Sequence, residues 1–218
     1  MKILALEFSS DQRSVAVVDD GQVRAGAQET APRATRALGL IETALCAAGL
    51  EREQVECLAV GLGPGSYTGI RAAIALAQGW QLARETPTIG VSSVECLAAT
   101  AHREKIWGRV SIVIDAQRNE LYFAAYEIET SGWRETQRLR LASMDEARAR
   151  VEGGETVVGP EVAKWFASGL PLFPDAAILG QLAARRNDFL SGEKLEPIYL
   201  RETAFIKAPP PRVILSRP

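Results

Sequence analysis

The sequence predicts an α/β protein of two lobes built to one plan, each running strand, strand, strand, helix, strand, helix. Three observations predict it. Short apolar, β-branched runs alternate with stretches of helical periodicity along the whole chain. The order of these runs in the first half returns in the second. The chain has 218 residues, 47% of them apolar, which is enough to bury a substantial core.

Taken in order, "ILALEF" opens as a buried strand, and "RSVAVVDDGQVRAG" reads as two strands joined at Asp20-Gly21. An Asp-Gly pair between alternating apolar runs is a strong hairpin signal. Pro32 stands near the start of a helix whose periodic residues Leu38, Ile41 and Leu45 lead to a stop at Gly49. "VECLAVGLG" is a strand running into a glycine turn, and a helix from Ser66 to around Arg84 follows. "TIGV" is a short strand, and Ser92 with Glu95 predicts a capping box for the next helix.

The second half begins with three strands, "RVSIVID", "ELYFAAYEIE" and "WRETQRLRL". Ser143 and Glu146 predict a second capping box, opening a helix that stops near Gly153-Gly154. "TVVG" is a strand, Pro160 is expected to begin a helix, Pro174 to Asn187 another, and "PIYLR" an extended ending. The order βββαβα, given twice, is that of a duplicated ribonuclease-H-like fold. This is the actin-like (ASKHA) architecture of actin, sugar kinases and Hsp70, with two lobes around a cleft. The expected division is an N-terminal lobe, 1–104, carrying the glycine turn, and a degenerate C-terminal lobe, 105–218, with an extended tail.

Composition narrows the function. The net charge of −2 gives no global basic field of the kind a stand-alone nucleic-acid binder carries. Only the tail is basic: Arg201, Lys207, Arg212 and Arg217 face Glu202 alone, around the proline run "APPPR". Cys46, Cys57 and Cys96 are odd in number and lie in apolar surroundings, as buried free thiols of a reducing compartment would. "MKILALEFSS" is too short an apolar run for a signal peptide, and no stretch approaches a membrane span, so a cytoplasmic protein is expected.

The segment "GLGPGSYTGIR", Gly61 to Arg71, invites two readings. A phosphate cradle needs backbone N–H groups converging at a helix N-terminus. Yet no Lys-Ser/Thr follows at the Walker spacing, and Ser66 stands where a dinucleotide fingerprint wants glycine. The other reading is a tight strand-to-helix turn capped by Ser66 or Thr68. The helix after it carries Ala72, Ala75, Leu76, Gly79 and Ala83 at three- and four-residue spacing, beside a second stripe of Ile70, Ala73, Ile74 and Ala77. A helix this apolar either sits wholly inside the fold or presents a face to a partner.

No catalytic set assembles. The acid-led turns that would hold metal and phosphate in an actin-like kinase are here Glu7-Phe8-Ser9-Ser10 and Asp115-Ala116-Gln117, both without glycine, and Cβ atoms there would crowd a phosphate. The only histidine, His102, lies in the polar run "TAHREK" and is expected to face solvent, which argues against a metallohydrolase or a serine triad. Asp19-Asp20 is explained by turn chemistry, as are Asp115, Arg118 and Glu120.

The sequence "GLGPGSYTGIRAAIALAQGWQLA" resembles the signature of the TsaB (YeaZ) family. Four further segments resemble that family in the same order: "ILALEFSSDQRSVAVVDDG", "VSSVECLA", "IDAQRNELYFAAYE" and "PIYLRE". The similarity is collinear from Lys2 to about Glu202. Departures are Glu7 where the family usually has Asp, Gln117 where it has Arg, and no histidine-serine pair near the first helix.

The resemblance implies a non-catalytic scaffold or activator subunit, without metal or cofactor of its own. It serves the formation of N6-threonylcarbamoyladenosine beside the anticodon of tRNAs reading ANN codons. The implied partners are a TsaD-like catalytic subunit, a TsaE-like ATPase and, when alone, a second copy, with tRNA contact indirect. Docking would use Leu38, Ile41 and Leu45 of the first helix, together with Gly63, Gly65, Ser66, Thr68, Gly69, Arg71, Ala72 and Ala75 of the turn and second helix. The rival readings are a self-sufficient actin-like ATPase or kinase, and a peptidase.

Overall fold

The computed structural model describes residues 1–30 and 36–200. Its first lobe contains β1 (Lys2–Glu7), β2 (Gln12–Asp19), β3 (Gln22–Thr30), α1 (Ala37–Ala48), β4 (Cys57–Gly61), α2 (Tyr67–Arg84), β5 (Thr88–Val91) and α3 (Ser93–Arg103). The second contains β6 (Gly108–Asp115), β7 (Glu120–Glu129), β8 (Gly132–Ser143), α4 (Met144–Glu152), β9 (Thr156–Gly159), β10 (Leu170–Pro171) and α5 (Ala176–Ala183). The two sheets have the same strand order, β3-β2-β1-β4-β5 and β8-β7-β6-β9-β10. In each, the first three strands are antiparallel and the last two join in parallel, as a duplicated ribonuclease-H-like fold requires. The first lobe completes the βββαβα plan and adds β5 and α3, whereas the second has a 3-10 turn in place of its second helix before β10 and α5.

Strand alternation assigns the faces of the first sheet. Leu4, Leu6, Val15, Val17, Leu58 and Val60 point to one side, where Ile41, Ala44 and Leu45 of α1 and Ile70, Ala73, Ile74 and Ala77 of α2 cover them. Ile3, Ala5, Ala16, Val18 and Ala59 point to the other, which α5 covers with Ile178, Leu179, Leu182 and Ala183. Small side chains on that face let α5 approach closely, and Gly180 lies over Ala5 and Val18. The lobes are therefore interlocked. Helix α5 comes from the second half yet packs on the first sheet, while Val94, Leu97, Ala98 and Ala101 of α3 pack on the second.

The hairpin at Asp20-Gly21 forms as the sequence indicates, with φ of 49° and 74° at the two central residues, the primed-turn conformation that matches strand twist. Helix α1 stops at Gly49 in the left-handed conformation. Several local expectations are corrected. Pro160 does not open an α-helix; a single 3-10 turn, Val162–Lys164, takes its place. Ser143 caps α4 through the Glu146 amide, but the Glu146 carboxylate pairs with Arg140 instead of closing a capping box. Ser92 accepts from the Val94 amide alone. The helix expected over 174–187 is confined to α5, capped by Asp175 through the Ala177 and Ile178 amides. Cys46 is exposed on α1, whereas Cys57 and Cys96 are buried, and burial pushes the Cys57 thiol up to about 12. Pro32 and the basic tail from Arg201 lie outside the described residues.

Candidate protein-docking interface

The glycine turn is a packed joint. Leu62 donates its amide to the Val91 carbonyl (2.9 Å), and Ser66 donates to the Ser9 carbonyl (2.7 Å). The Gly63 amide donates to Ser93 Oγ (3.2 Å), and the Ser93 amide donates back to the Gly63 carbonyl (2.9 Å). Ser66 Oγ caps α2 by accepting from the Gly69 amide at 3.3 Å. The Leu62, Gly63, Ser66 and Gly69 amides are thus committed within the protein, as a tight strand-to-helix turn requires. Gly65, at φ +146°, and Gly69 on the first turn of α2 lie against the backbone of Ser9 and Phe8; a Cβ at either would collide with a carbonyl oxygen.

Glu7 sits beneath this joint, wholly buried. Its carboxylate accepts from the Ser9 amide (2.7 Å) and from Ser93 Oγ (2.9 Å). Burial pushes its pKa up in spite of those hydrogen bonds. The carboxylate is thereby spent on bracing the turn: Ser93 links it to the Gly63 amide, and through the turn to the start of α2.

The turn aims an 18-residue helix whose two stripes have opposite fates. Ile70, Ala73, Ile74 and Ala77 are the inner stripe, none more than 6% exposed. Of the other stripe, Ala75, Gly79 and Ala83 are exposed and Ala72 is half-buried, whereas Leu76 packs in part against the core; Thr68 and Leu82, the latter 86% exposed, lie beside them. On α1, Leu38 (68% exposed), Cys46 and Ala47 also face outward. Both helices cover the same side of the first sheet, so their outer faces share one surface.

The residues named from sequence therefore separate into three groups. Leu38, Thr68, Ala72 and Ala75 meet solvent on the outer helical face. Gly65, Ser66 and Arg71 line the interlobe cleft. Gly63 and Gly69 are buried in the joint, and Ile41 and Leu45 are buried in the first core, at 2% and 4% exposure. Ile41 and Leu45 are corrections: expected on a docking surface, their side chains instead form the inward stripe of α1. Leu82 and Gly79 extend the outer stripe; Leu82 could have been found by counting away from the inner stripe of α2.

The cleft has a volume of about 990 Å³ and lies between the glycine turn and the β6–β7 turn. Tyr67 stacks on Tyr199 there, with centroids 5.5 Å apart, and the Arg71 guanidinium lies 5.2 Å over the Tyr67 ring. Gln117, Arg118 and Asn119 all have positive φ, and Asp115 Oδ1 accepts from the Gln117 amide at 2.7 Å, the local turn chemistry expected of this segment. Asp11, Asp115 and Glu161 share the cleft with Arg118 and Lys164, and burial pushes Glu161 up. Among the described residues no cluster of three metal-ligating side chains occurs. His102 is not the solvent-facing residue expected: its ring lies between Trp107 and Trp133, at 5.5 Å and 5.4 Å.

The chain is similar to known proteins over most of its length. A family model described as TsaD, tRNA N6-adenosine threonylcarbamoyltransferase, matches residues 30–198. The tRNA threonylcarbamoyladenosine biosynthesis protein TsaB of Escherichia coli K12 is 32% identical, covering 96% of this chain and 99% of that protein. The protein of the same name from Haemophilus influenzae is 30% identical, with coverage of 97% and 98%. The solved structure of YeaZ from Pseudomonas aeruginosa superposes with a TM-score of 0.75 at 28% identity, covering 91% of this chain and 99% of that one. No described helix is long and apolar enough to cross a membrane. The signature turn, the two-lobed fold and the near full-length identity agree, and the chain belongs to the TsaB family, within the wider group that the threonylcarbamoyltransferase model describes.

Proposed function

We propose that this chain is a cytoplasmic, non-catalytic subunit of the assembly that forms N6-threonylcarbamoyladenosine on tRNAs reading ANN codons. It docks to a TsaD-like catalytic subunit through the outer faces of α1 and α2. The observation that carries the reading is the exposed stripe Thr68, Ala72, Ala75, Gly79 and Leu82 on an otherwise well-packed helix. Small residues on such a stripe let a partner helix come close, and Leu82 and Leu38 supply apolar area at its edges. An interface of standard size, about 1,600 Å² in total, suffices for a stable complex. The same stripe pairs two copies when the catalytic subunit is absent. A TsaE-like ATPase joins the assembly, and tRNA is engaged through the partner.

A non-catalytic role fits the chemistry on hand. Glu7, the acid at the end of the first strand, braces the glycine turn, and the Leu62, Gly63 and Ser66 amides are used internally. Co-purification with the TsaD-like subunit tests the docking. Ala75→Glu places a charge in the stripe and is expected to abolish co-purification while the monomer stays folded. Co-purification at the wild-type level would refute it.

A further inference from the structure

A second cavity, of about 690 Å³, opens between α3 and α5 and is closed at one end by the β7–β8 turn. It is formed by the two helices that cross between the lobes. Its floor is apolar, from Ala99, Ile178 and Leu182, and one wall is the indole of Trp133. Arg103 and Arg185 stand on it from the two helices, and no residue lining it is acidic. Arg103 is held by Glu104 (3.2 Å) and Asp175 (4.0 Å), whereas Arg185 makes no salt bridge among the described residues. His102 also lines the cavity, wedged between two indoles, and its Nε2 is buried with no hydrogen-bond partner among the described residues.

We propose that this cavity binds a small organic anion: a flat, apolar body carrying one carboxylate or sulfonate. The volume lies in the range of small-molecule sites, which pair apolar walls with a few polar groups that fix orientation. The body lies against Trp133, Ile178 and Leu182. The head group is drawn to Arg185, which makes no salt bridge among the described residues, with Arg103 close by and still paired to Glu104 and Asp175. Such a ligand touches α3, which packs on the second sheet, and α5, which packs on the first, and so bridges the two lobes. This site is distinct from both the docking face and the interlobe cleft.

Titrating the full chain with 8-anilinonaphthalene-1-sulfonate tests the proposal. Saturable one-site binding is expected, with energy transfer from tryptophan that falls in Trp133→Phe. Indole-3-propionate should displace the probe, whereas its neutral analogue tryptophol and inorganic phosphate alone should not. Arg185→Ala, an exposed position that leaves the fold intact, should weaken the probe about fivefold. Ser131→Glu, which adds a like charge at the rim, should weaken it as well. The proposal is overturned if tryptophol or phosphate competes as well as indole-3-propionate. It is equally overturned if Arg185→Ala binds unchanged or if Trp133→Phe leaves the energy transfer intact.

Discussion

The two lobes share a strand order but differ at one joint. In the first, β4 ends at Gly61, and a glycine turn launches the 18-residue α2. In the second, β9 ends at Gly159, and the chain manages only the 3-10 turn Val162–Lys164 before β10. The acids at the ends of the equivalent strands β1 and β6 differ in the same sense. Glu7 is wholly buried and braces the turn, whereas Asp115 lines the cleft and holds a local turn through the Gln117 amide. The comparison teaches that one plan serves two purposes: the first lobe is braced to hold a long helix with a free face, and the second supplies a partner sheet and the crossing helix α5.

The largest expected effect concerns that crossing. Helix α5 fills the second face of the first sheet, so Leu179→Ala, at a wholly buried site, should cost about 2–5 kcal/mol in urea unfolding. By the same logic, residues 1–104 and 105–218 expressed separately should show no cooperative transition. Independent folding of either piece would break the picture of interlocked lobes.

A smaller effect sharpens the contrast at the joint. Gly69→Ala places a methyl against the Phe8 carbonyl oxygen, backbone that cannot swing aside. A loss of about 1–3 kcal/mol is expected in thermal unfolding. Gly79→Ala on the same helix, with open space around it, should instead stabilise slightly, because alanine is the better helix former.

The smallest effect is electrostatic. Burial raises the Glu7 pKa in the fold above its unfolded value of about 4.5. The protonated form is then favoured in the fold, so its contribution is fully present below that value and is lost as pH rises through the folded pKa. Glu7→Gln, which cannot ionise, should gain on the wild type across that window, with a constant difference above it. A melting-temperature difference independent of pH would show that Glu7 is not a buried carboxyl held against its solvation preference.

Much of this was legible in the sequence, and the failures share a cause. The Asp20-Gly21 hairpin, the Ser66 cap and the stop at Gly49 depend on residues adjacent in the chain, and all three are present. Periodicity also separated the two stripes of α2, but it does not say which stripe faces in. On α1 the family resemblance implied docking through Leu38, Ile41 and Leu45 alike, but Ile41 and Leu45 are drawn into the core and Leu38 alone of the three is exposed. Cys46, expected inside, lies on the outer side of that helix. His102 looked solvent-facing because its sequence neighbours are polar; the indoles that enclose it come from Trp107 and, across the fold, Trp133. Likewise Glu146 had the spacing of a capping box, and Arg140 on the neighbouring strand took its carboxylate. The stacked pair Tyr67 and Tyr199 joins residues far apart in the chain, which no local pattern signals.

The most direct test of the central claim is threonylcarbamoyladenosine formation by the reconstituted assembly, comparing a change on the outer face of α2 with one in the interlobe cleft. Ala75→Glu is expected to abolish product, while Asp115→Asn leaves its rate near that of the wild type. Full activity in Ala75→Glu, with activity lost in Asp115→Asn, would contradict the account and move the working site into the cleft.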